Sequence, residues 1–149
     1  MLLFLVSGFF ISCAKGTEVP EAVKNFFNQK FPSATNVKWE MENATVYEAE
    51  FKMNGEEMSA NFKSDGAWLE TESEIEKNAV SSVVTNAVKA KYPNAIIEEV
   101  EKVESAEKGI LYELEIKEGK NENEIIVTGD GMSITAAQEK EDDKGDKED

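Results

Sequence analysis

Two pairs of glutamates are the first residues whose spacing could do chemistry. Glu48 and Glu50 stand two positions apart, and so do Glu113 and Glu115. General acid–base catalysis uses such neighbouring carboxyls when burial or a like charge shifts one pKa. Around both pairs, however, apolar residues alternate with polar ones, which is typical of a strand with one wet face. We therefore interpret the pairs as solvated side chains and predict no catalytic residues and no enzyme activity.

Two Asp-Gly dipeptides could begin calcium loops. They are Asp65-Gly66 and Asp130-Gly131. A calcium loop of the EF-hand type needs acids or amides at its first, third and fifth positions and a glutamate at its twelfth. Neither segment has that spacing, whereas Asp-Gly favours a tight turn. We interpret both as turns and predict no metal site and no cofactor.

The composition narrows the classes of partner. The chain of 149 residues has 31 acids and 16 basic residues, all of them lysine, no histidine, and a formal net charge of −15. Without histidine the chain lacks the usual general base and metal ligand, and without arginine it lacks the side chain that most often binds phosphate. A strongly acidic chain repels nucleic acid. We predict no nucleic-acid partner, and expect an envelope protein or peptide that is cationic or largely apolar.

The first sixteen residues indicate export. Residues 2–11 form an apolar run that is too short to span a bilayer but typical of a signal peptide. Ser12 and Cys13 follow it directly. A small residue before a cysteine resembles the bacterial lipobox, which implies cleavage before Cys13 and acylation of its thiol. The alternative is ordinary cleavage after Ala14. We predict a periplasmic or cell-surface protein that touches the membrane only through a lipid anchor at Cys13.

The remaining chain contains an internal repeat. Residues 31–34 (FPSA) match residues 92–95 (YPNA), and residues 46–51 (VYEAEF) match residues 111–116 (LYELEI). The two Asp-Gly dipeptides also correspond. Such similarity between two segments of one chain is typical of duplicated supersecondary units. We assign residues 17–73 to the first repeat and residues 74–137 to the second. Residues 138–149, which carry seven acids and no large apolar residue, are predicted to be a disordered tail.

Each repeat reads as one helix followed by strands. An apolar stripe with spacings of three and four precedes Pro32 and again Pro93, and the residue before a proline leaves the helical region. Alternating segments follow, and Asn54-Gly55 is a strong hairpin signal. The predicted fold is therefore α+β. It consists of two tandem repeats, each a helix plus a four-stranded antiparallel meander, that form one sheet with both helices on one face.

The sheet face without helices is the predicted binding surface. Trp68 falls between Ala67 and Leu69, which align with the buried phase, so we place Trp68 on the open face. Exposed tryptophans are enriched at interfaces; the alternative is that Trp68 covers a sheet edge or packs on its neighbour strand. The candidate partner-binding residues are Trp68, Glu48, Glu50, Lys52, Asn61 and Lys63.

These motifs resemble a known family. A helix ended by aromatic-Pro-x-Ala, then Tyr-Glu-x-Glu-apolar, then a strand closed by Asp-Gly, resembles the PepSY-like domain family of exported bacterial proteins. That family is similar in fold to the beta-lactamase inhibitor protein, and the resemblance covers residues 19–135. It implies a periplasmic or surface location, no catalysis and the binding of a protein or peptide. We expect an exported binding module; the alternative is a structural or stress-related envelope lipoprotein without a specific ligand.

The lipid anchor gives the first testable prediction. Cys13→Ala removes the acylated thiol, so the protein should leave the membrane fraction or accumulate as an uncleaved precursor. Ser12→Ala is the matched control, because alanine is also small and should keep the protein anchored. Fractionation and intact-mass measurement check both variants. Unchanged partitioning and mature mass in Cys13→Ala would remove the lipoprotein prediction.

Overall fold

One antiparallel sheet of eight strands, ordered as in the chain, organises the protein. The structure is a computed structural model and describes residues 18–136, so the leader, Cys13 and residues 138–149 lie outside the described residues. The elements are α1 Glu21–Lys30, β1 Thr35–Asn43, β2 Val46–Met53, β3 Glu56–Lys63, β4 Trp68–Glu74, a 3₁₀ turn Lys77–Ala79, α2 Ser82–Lys91, β5 Ile96–Ser105, β6 Gly109–Glu118, β7 Asn121–Thr128 and β8 Ile134–Ala136. The predicted α+β class and the single antiparallel sheet are confirmed.

Both helices end where the sequence places a proline. Phe31 and Tyr92 form the C-caps directly before Pro32 and Pro93. The helices begin differently: the Ser81 hydroxyl accepts a hydrogen bond from the Val84 N–H at 3.4 Å, whereas α1 follows Pro20 without a side-chain cap. Among the residues described, no helix is long and apolar enough to cross a membrane.

The strand register places both helices on the same face of the sheet. Ala49, buried against α1, pairs with Ala60, which in turn pairs with Thr71. Thr71 pairs with Glu104 of β5. Because side chains alternate along a strand, Val100 shares the face of Glu104, and Val100 packs in the core beneath α2.

Each helix covers its own apolar core. The first cluster is aromatic, with Phe27 of α1 in contact with Phe31, Trp39 and Phe51 at centroid distances of 5.1 to 5.3 Å. The second cluster is aliphatic; its buried members are Val80, Val84, Val88, Val100, Tyr112, Leu114, Ile116, Ile125 and Val127. Between them, on the same face, lie the paired polar residues of β4 and β5, so the two cores remain separate clusters.

Tight turns close the hairpins. Asn54 and Gly55 both adopt positive φ, 56° and 90°, and join Met53 to Glu56 in a two-residue loop, as the hairpin signal predicts. Gly66 also has positive φ, 92°, and lies against the first turn of α1. A Cβ built on Gly66 would stand 2.8 Å from the Ala22 carbonyl oxygen. Only glycine satisfies both demands at this position.

The two outer strands are irregular. The register of β1 against β2 shifts twice, between Thr35 and Lys38 and between Met41 and Asn43. Asn36, within the first shift, has a φ of 56°. At the other side of the sheet, β8 has only three residues.

The contact between Gly66 and α1 can be tested with a matched pair of variants. Gly66→Ala and Gly55→Ala both force alanine into positive φ, which costs roughly 1–2 kcal/mol. A Cβ at Gly55 meets nothing within 4 Å. Gly66→Ala should therefore lower the free energy of unfolding by an additional amount of about 1–3 kcal/mol, as overpacking does. Chemical denaturation measures both, and equal losses would show that α1 does not rest on this turn.

Candidate binding surface on the open sheet face

The open face is the side of the sheet opposite the two helices. Glu48, Glu50 and Lys52 alternate with Ala49 and Phe51, which are buried under α1. In the same way Asn61 and Lys63 alternate with Ala60 and Phe62 of the first core. The register therefore places these five predicted residues on the open face. Whether they bind a partner stays a prediction.

The predicted orientation of Trp68 is wrong. Asn61 pairs with Glu70, but the next residue, Phe62, pairs with Trp68, so Leu69 is an extra residue in β4. Such a β-bulge reverses the alternation of side chains along the strand. Trp68 consequently shares the face of Phe62 and packs against the first core beneath α1. The unbroken alternation on which the prediction relied fails at this residue.

Contacts on the helix-bearing side hold the Trp68 ring. Its indole N–H donates to the Thr71 hydroxyl at 2.9 Å, and the Lys30 ammonium of α1 lies 3.8 Å from the ring centroid. The hydrogen bond to buried Thr71 satisfies the indole N–H. The cation–π contact places the Lys30 ammonium against the half-buried ring. Trp68 thus joins α1 to the start of β4.

Asn61 is the most buried of the predicted residues on the open face. It is only 6% exposed, and its amide nitrogen donates to a Glu70 carboxylate oxygen at 3.3 Å. Its carbonyl oxygen has no hydrogen-bond partner within residues 18–136. An unpaired buried acceptor costs roughly 1–3 kcal/mol.

An apolar strip crosses the open face in the second half of the sheet. Val103 and Leu111 form a cross-strand pair there and are 3% and 9% exposed, and half-buried Ile126 lies on the neighbouring strand. None of the three belongs to either core cluster. The sequence carries a signal for them: neighbouring apolar residues in one strand, such as Leu111-Tyr112, must point to opposite faces.

Carboxylates lie in two rows beside this strip. Glu99, Glu115 and Glu124 stand opposite one another on β5, β6 and β7. In the next row Glu101 pairs with Glu113 beside Ile126. Directly opposed side chains lie about 4.5–5.5 Å apart, so these rows hold like charges close together.

The like charges affect Glu115 most clearly. Burial raises the pKa of its carboxyl above the ordinary value, and the negative charges of Glu99, Glu122, Glu98 and Glu124 raise that pKa further. Lys117 of β6 pairs with two further glutamates: its ammonium lies 2.7 Å from Glu122 and 3.6 Å from Glu98. Both contacts hold the Lys117 ammonium at the outer part of the row, so the apolar strip keeps an acidic border.

The Asp-Gly segments act as turns. An Asp65 carboxylate oxygen accepts a hydrogen bond from the Ala67 N–H at 3.0 Å, and Asp130 accepts one from the Met132 N–H at the same distance. The Thr128 hydroxyl also donates to Asp130, at 2.7 Å, and holds the pKa of that carboxyl below its ordinary value. These bonds account for both aspartates without a ligand.

Comparison with known proteins identifies a family. A family model described as "Putative beta-lactamase-inhibitor-like, PepSY-like" matches residues 14–59 and 45–134. The predicted resemblance is thereby confirmed. No curated protein matches the chain.

Solved structures share the fold. A BLIP-like protein of Bacteroides fragilis is similar with a TM-score of 0.69 and 23% identity, over 85% of this chain and 93% of that one. A "putative periplasmic" protein of Bacteroides eggerthii is similar with a TM-score of 0.68 and 20% identity, over 80% of this chain and 90% of that one. At these identities the likeness shows the fold alone.

The raised pKa of Glu115 predicts the sign of a pH effect. Because the folded state binds this proton more tightly than the unfolded chain, ionised Glu115 destabilises the fold above its raised pKa. Glu115→Gln should therefore raise the free energy of unfolding at pH 7, by less than about 1 kcal/mol because solvent screens a partly exposed charge. This gain should disappear as the pH falls below the ordinary value of 4.5.

Thermal unfolding at several pH values measures the difference between Glu115→Gln and the unaltered protein. Glu107→Gln is the matched control, because it removes the same charge from the exposed β5–β6 turn. A gain that is equal in both variants, or that grows on acidification, would contradict a local effect of the acidic rows.

Proposed function

Because the chain belongs to the PepSY-like, beta-lactamase-inhibitor-like family, we propose that it is an exported, non-catalytic binding module of the bacterial envelope. It recognises a protein or peptide through the open face of its sheet. The observation that carries this proposal is half-buried Ile126 of the apolar strip, which lies beside rows of carboxylates on a face that no helix covers. Apolar surface with a charged border is the usual composition of a recognition site.

The internal repeat is part of the proposal. Two tandem copies of a helix-plus-meander unit, residues 17–73 and 74–137, form the sheet. The family model matches in two segments, and a helix followed by four strands occurs twice in the element order. Gly66 and Gly131 lie against the first turns of α1 and α2, at Ala22 and Val83 respectively. Duplication explains why one open face extends over both halves.

Export and anchoring are proposed from the leader. Residues 1–16 direct the chain out of the cytoplasm, and acylation of Cys13 then holds it at the membrane in the periplasm or on the cell surface. The similar protein of Bacteroides eggerthii is described as periplasmic, which supports this location. A non-catalytic role is supported by a composition without histidine and by carboxylates that stand on a sheet face rather than in a closed pocket.

The partner's chemistry follows from the surface. Its binding segment should carry lysine or arginine on either side of an apolar side chain. The apolar side chain packs on half-buried Ile126, and the cations approach Glu99, Glu101, Glu113 and Glu115. Complementary charge of this kind speeds association and fixes orientation, while the apolar contact supplies affinity.

A displayed library of random peptides, selected on the exported protein, tests this function. The selected peptides should carry basic residues around an apolar one. Ile126→Ser should weaken their binding by about tenfold or more, since truncating a central apolar contact costs roughly 1.4 kcal/mol or above. Met41→Ser is the matched control, because Met41 is 46% exposed but lies on the helix-bearing side of β1.

Thermal unfolding must show that both variants remain folded. Failure to select any peptide, or selection of acidic ones, would reject the proposed surface. Equal weakening by Ile126→Ser and Met41→Ser would reject it as well. The remaining candidate would then be a structural or stress-related envelope lipoprotein without a specific ligand.

A further inference from the structure

Three exposed apolar side chains surround the turn between β7 and β8. Val83, Ile110 and Met132 are 54%, 45% and 88% exposed. A Cβ built on Gly131 would stand 3.2 Å from a Val83 methyl group, and one built on Gly129 would stand 3.3 Å from the Ile110 Cβ. Met132 directly follows Gly131. The three side chains therefore form one patch, which we call the turn patch.

The fold does not require apolar residues at these positions. In the first half, Gly66 lies against Ala22 as Gly131 lies against Val83. The Ser64 N–H donates to the Thr45 carbonyl as the Gly129 N–H donates to that of Ile110. The Ala67 N–H donates to Asp65 as the Met132 N–H donates to Asp130. Small or polar residues thus make the same backbone contacts, so the turn patch has another role.

The turn patch lies at the same end of the sheet as the start of the described chain. In an antiparallel meander, the β1–β2, β3–β4, β5–β6 and β7–β8 turns all lie at one end, which we call the upper end. The first turn of α1 reaches this end, because Ala22 lies against Gly66 of the β3–β4 turn. The turn patch surrounds the β7–β8 turn at the same end.

The length of chain before α1 limits how far the upper end can be from an anchored membrane. Five residues, 14–18, separate Cys13 from Val19, which is buried in the first core. An extended chain spans at most about 3.6 Å per residue, so Val19 lies within roughly 20 Å of an acylated Cys13. Four strand spacings of about 4.8 Å place the turn patch a similar distance along the upper end.

Charge indicates which membrane surface suits the patch. The acidic rows lie on the open face and not at the turn patch, but the net charge of −15 opposes an anionic surface. Lys108 and Asp130 both line the cleft beside Ile110, so the surroundings of the patch carry both signs. A zwitterionic headgroup layer imposes no such repulsion, and exposed valine, isoleucine and methionine can enter its boundary with the acyl chains.

We propose that Val83, Ile110 and Met132 form a second membrane contact, which inserts into a zwitterionic lipid surface beside the Cys13 anchor. This inference rests on the lipid anchor of the proposed function. A single acyl attachment leaves a domain able to rotate, whereas a second contact about 20 Å away fixes the upper end against the membrane. The sheet then stands on its upper end, and the open face remains accessible to a partner.

A single labelled thiol tests this orientation. Acylation occupies the only cysteine of the chain, so Met132→Cys adds one reactive thiol to the exported, acylated protein. An environment-sensitive dye is attached, and the protein is placed on phosphatidylcholine vesicles whose acyl chains carry a nitroxide quencher. The dye at position 132 should be quenched several times more strongly than one at Lys120→Cys, in the β6–β7 turn at the lower end.

The outcomes of the quenching experiment distinguish a failure of the membrane contact from a failure of the lipid anchor. Protein that floats with the vesicles but shows equal quenching at both positions overturns the membrane contact and leaves the anchor intact. Protein that does not float removes the anchor, and this inference with it. A dye at position 132 that is shielded only when another envelope protein is added would assign the turn patch to a protein interface and also overturn the inference.

A second variant avoids the dye. Val83→Ser combined with Met132→Ser should make the acylated protein move between vesicles about tenfold faster, since the loss of a few buried methylene groups weakens insertion by that order. Ala22→Ser combined with Ala67→Ser, at the corresponding positions of the first half, is the matched control and should change the rate little. Equal rates for the two pairs would overturn the inference.

Discussion

The backbone ladder between β4 and β5 is the interaction on which the rest of the structure depends. It runs from the Glu70–Ser105 pair to the Glu74–Glu101 pair and is the only sheet contact between the two halves of the described chain. On the helix-bearing side this junction is polar, because Thr71 pairs with Glu104, so the two cores do not merge. A four-stranded sheet with one helix buries little surface alone. The main-chain hydrogen bonds between β4 and β5 therefore join the two half-sheets, each with its own small core, into one sheet with a continuous open face.

The two cores fill the space between helix and sheet with different side chains. Beneath α1, large Phe27 packs in a cluster whose sheet contribution includes small Ala49 and Ala60. Beneath α2, smaller Val88 packs in a cluster with larger Leu114 and Ile125. Protein interiors reach nearly constant packing density, so small Ala49 and Ala60 leave room beneath α1 for the aromatic rings packed around Phe27. An aromatic and an aliphatic set of side chains thus fill the two cores, while the backbone arrangement stays alike.

Local patterns in the sequence predict most of this fold, because each helix and hairpin has its own signal: an apolar stripe before a proline, or Asn54-Gly55 between alternating strands. The candidate binding surface is harder to predict, because one register shift changes the face of every residue beyond it. The bulge at Leu69 arises from pairing with β3 and turns Trp68 toward α1. The apolar strip could have been predicted, since Leu111 and Tyr112 are neighbouring apolar residues in one strand and must point to opposite faces of the sheet.

The irregular outer strands have a consequence for contacts between copies of the protein. At high local concentration, exposed strand backbones can pair from one molecule to the next. The two register shifts of β1, with Asn36 in the left-handed region, interrupt the row of amides and carbonyls that a neighbouring strand would need. The three-residue β8 offers too short a template at the other side. Crowded copies can therefore stand side by side without growing into a common ribbon.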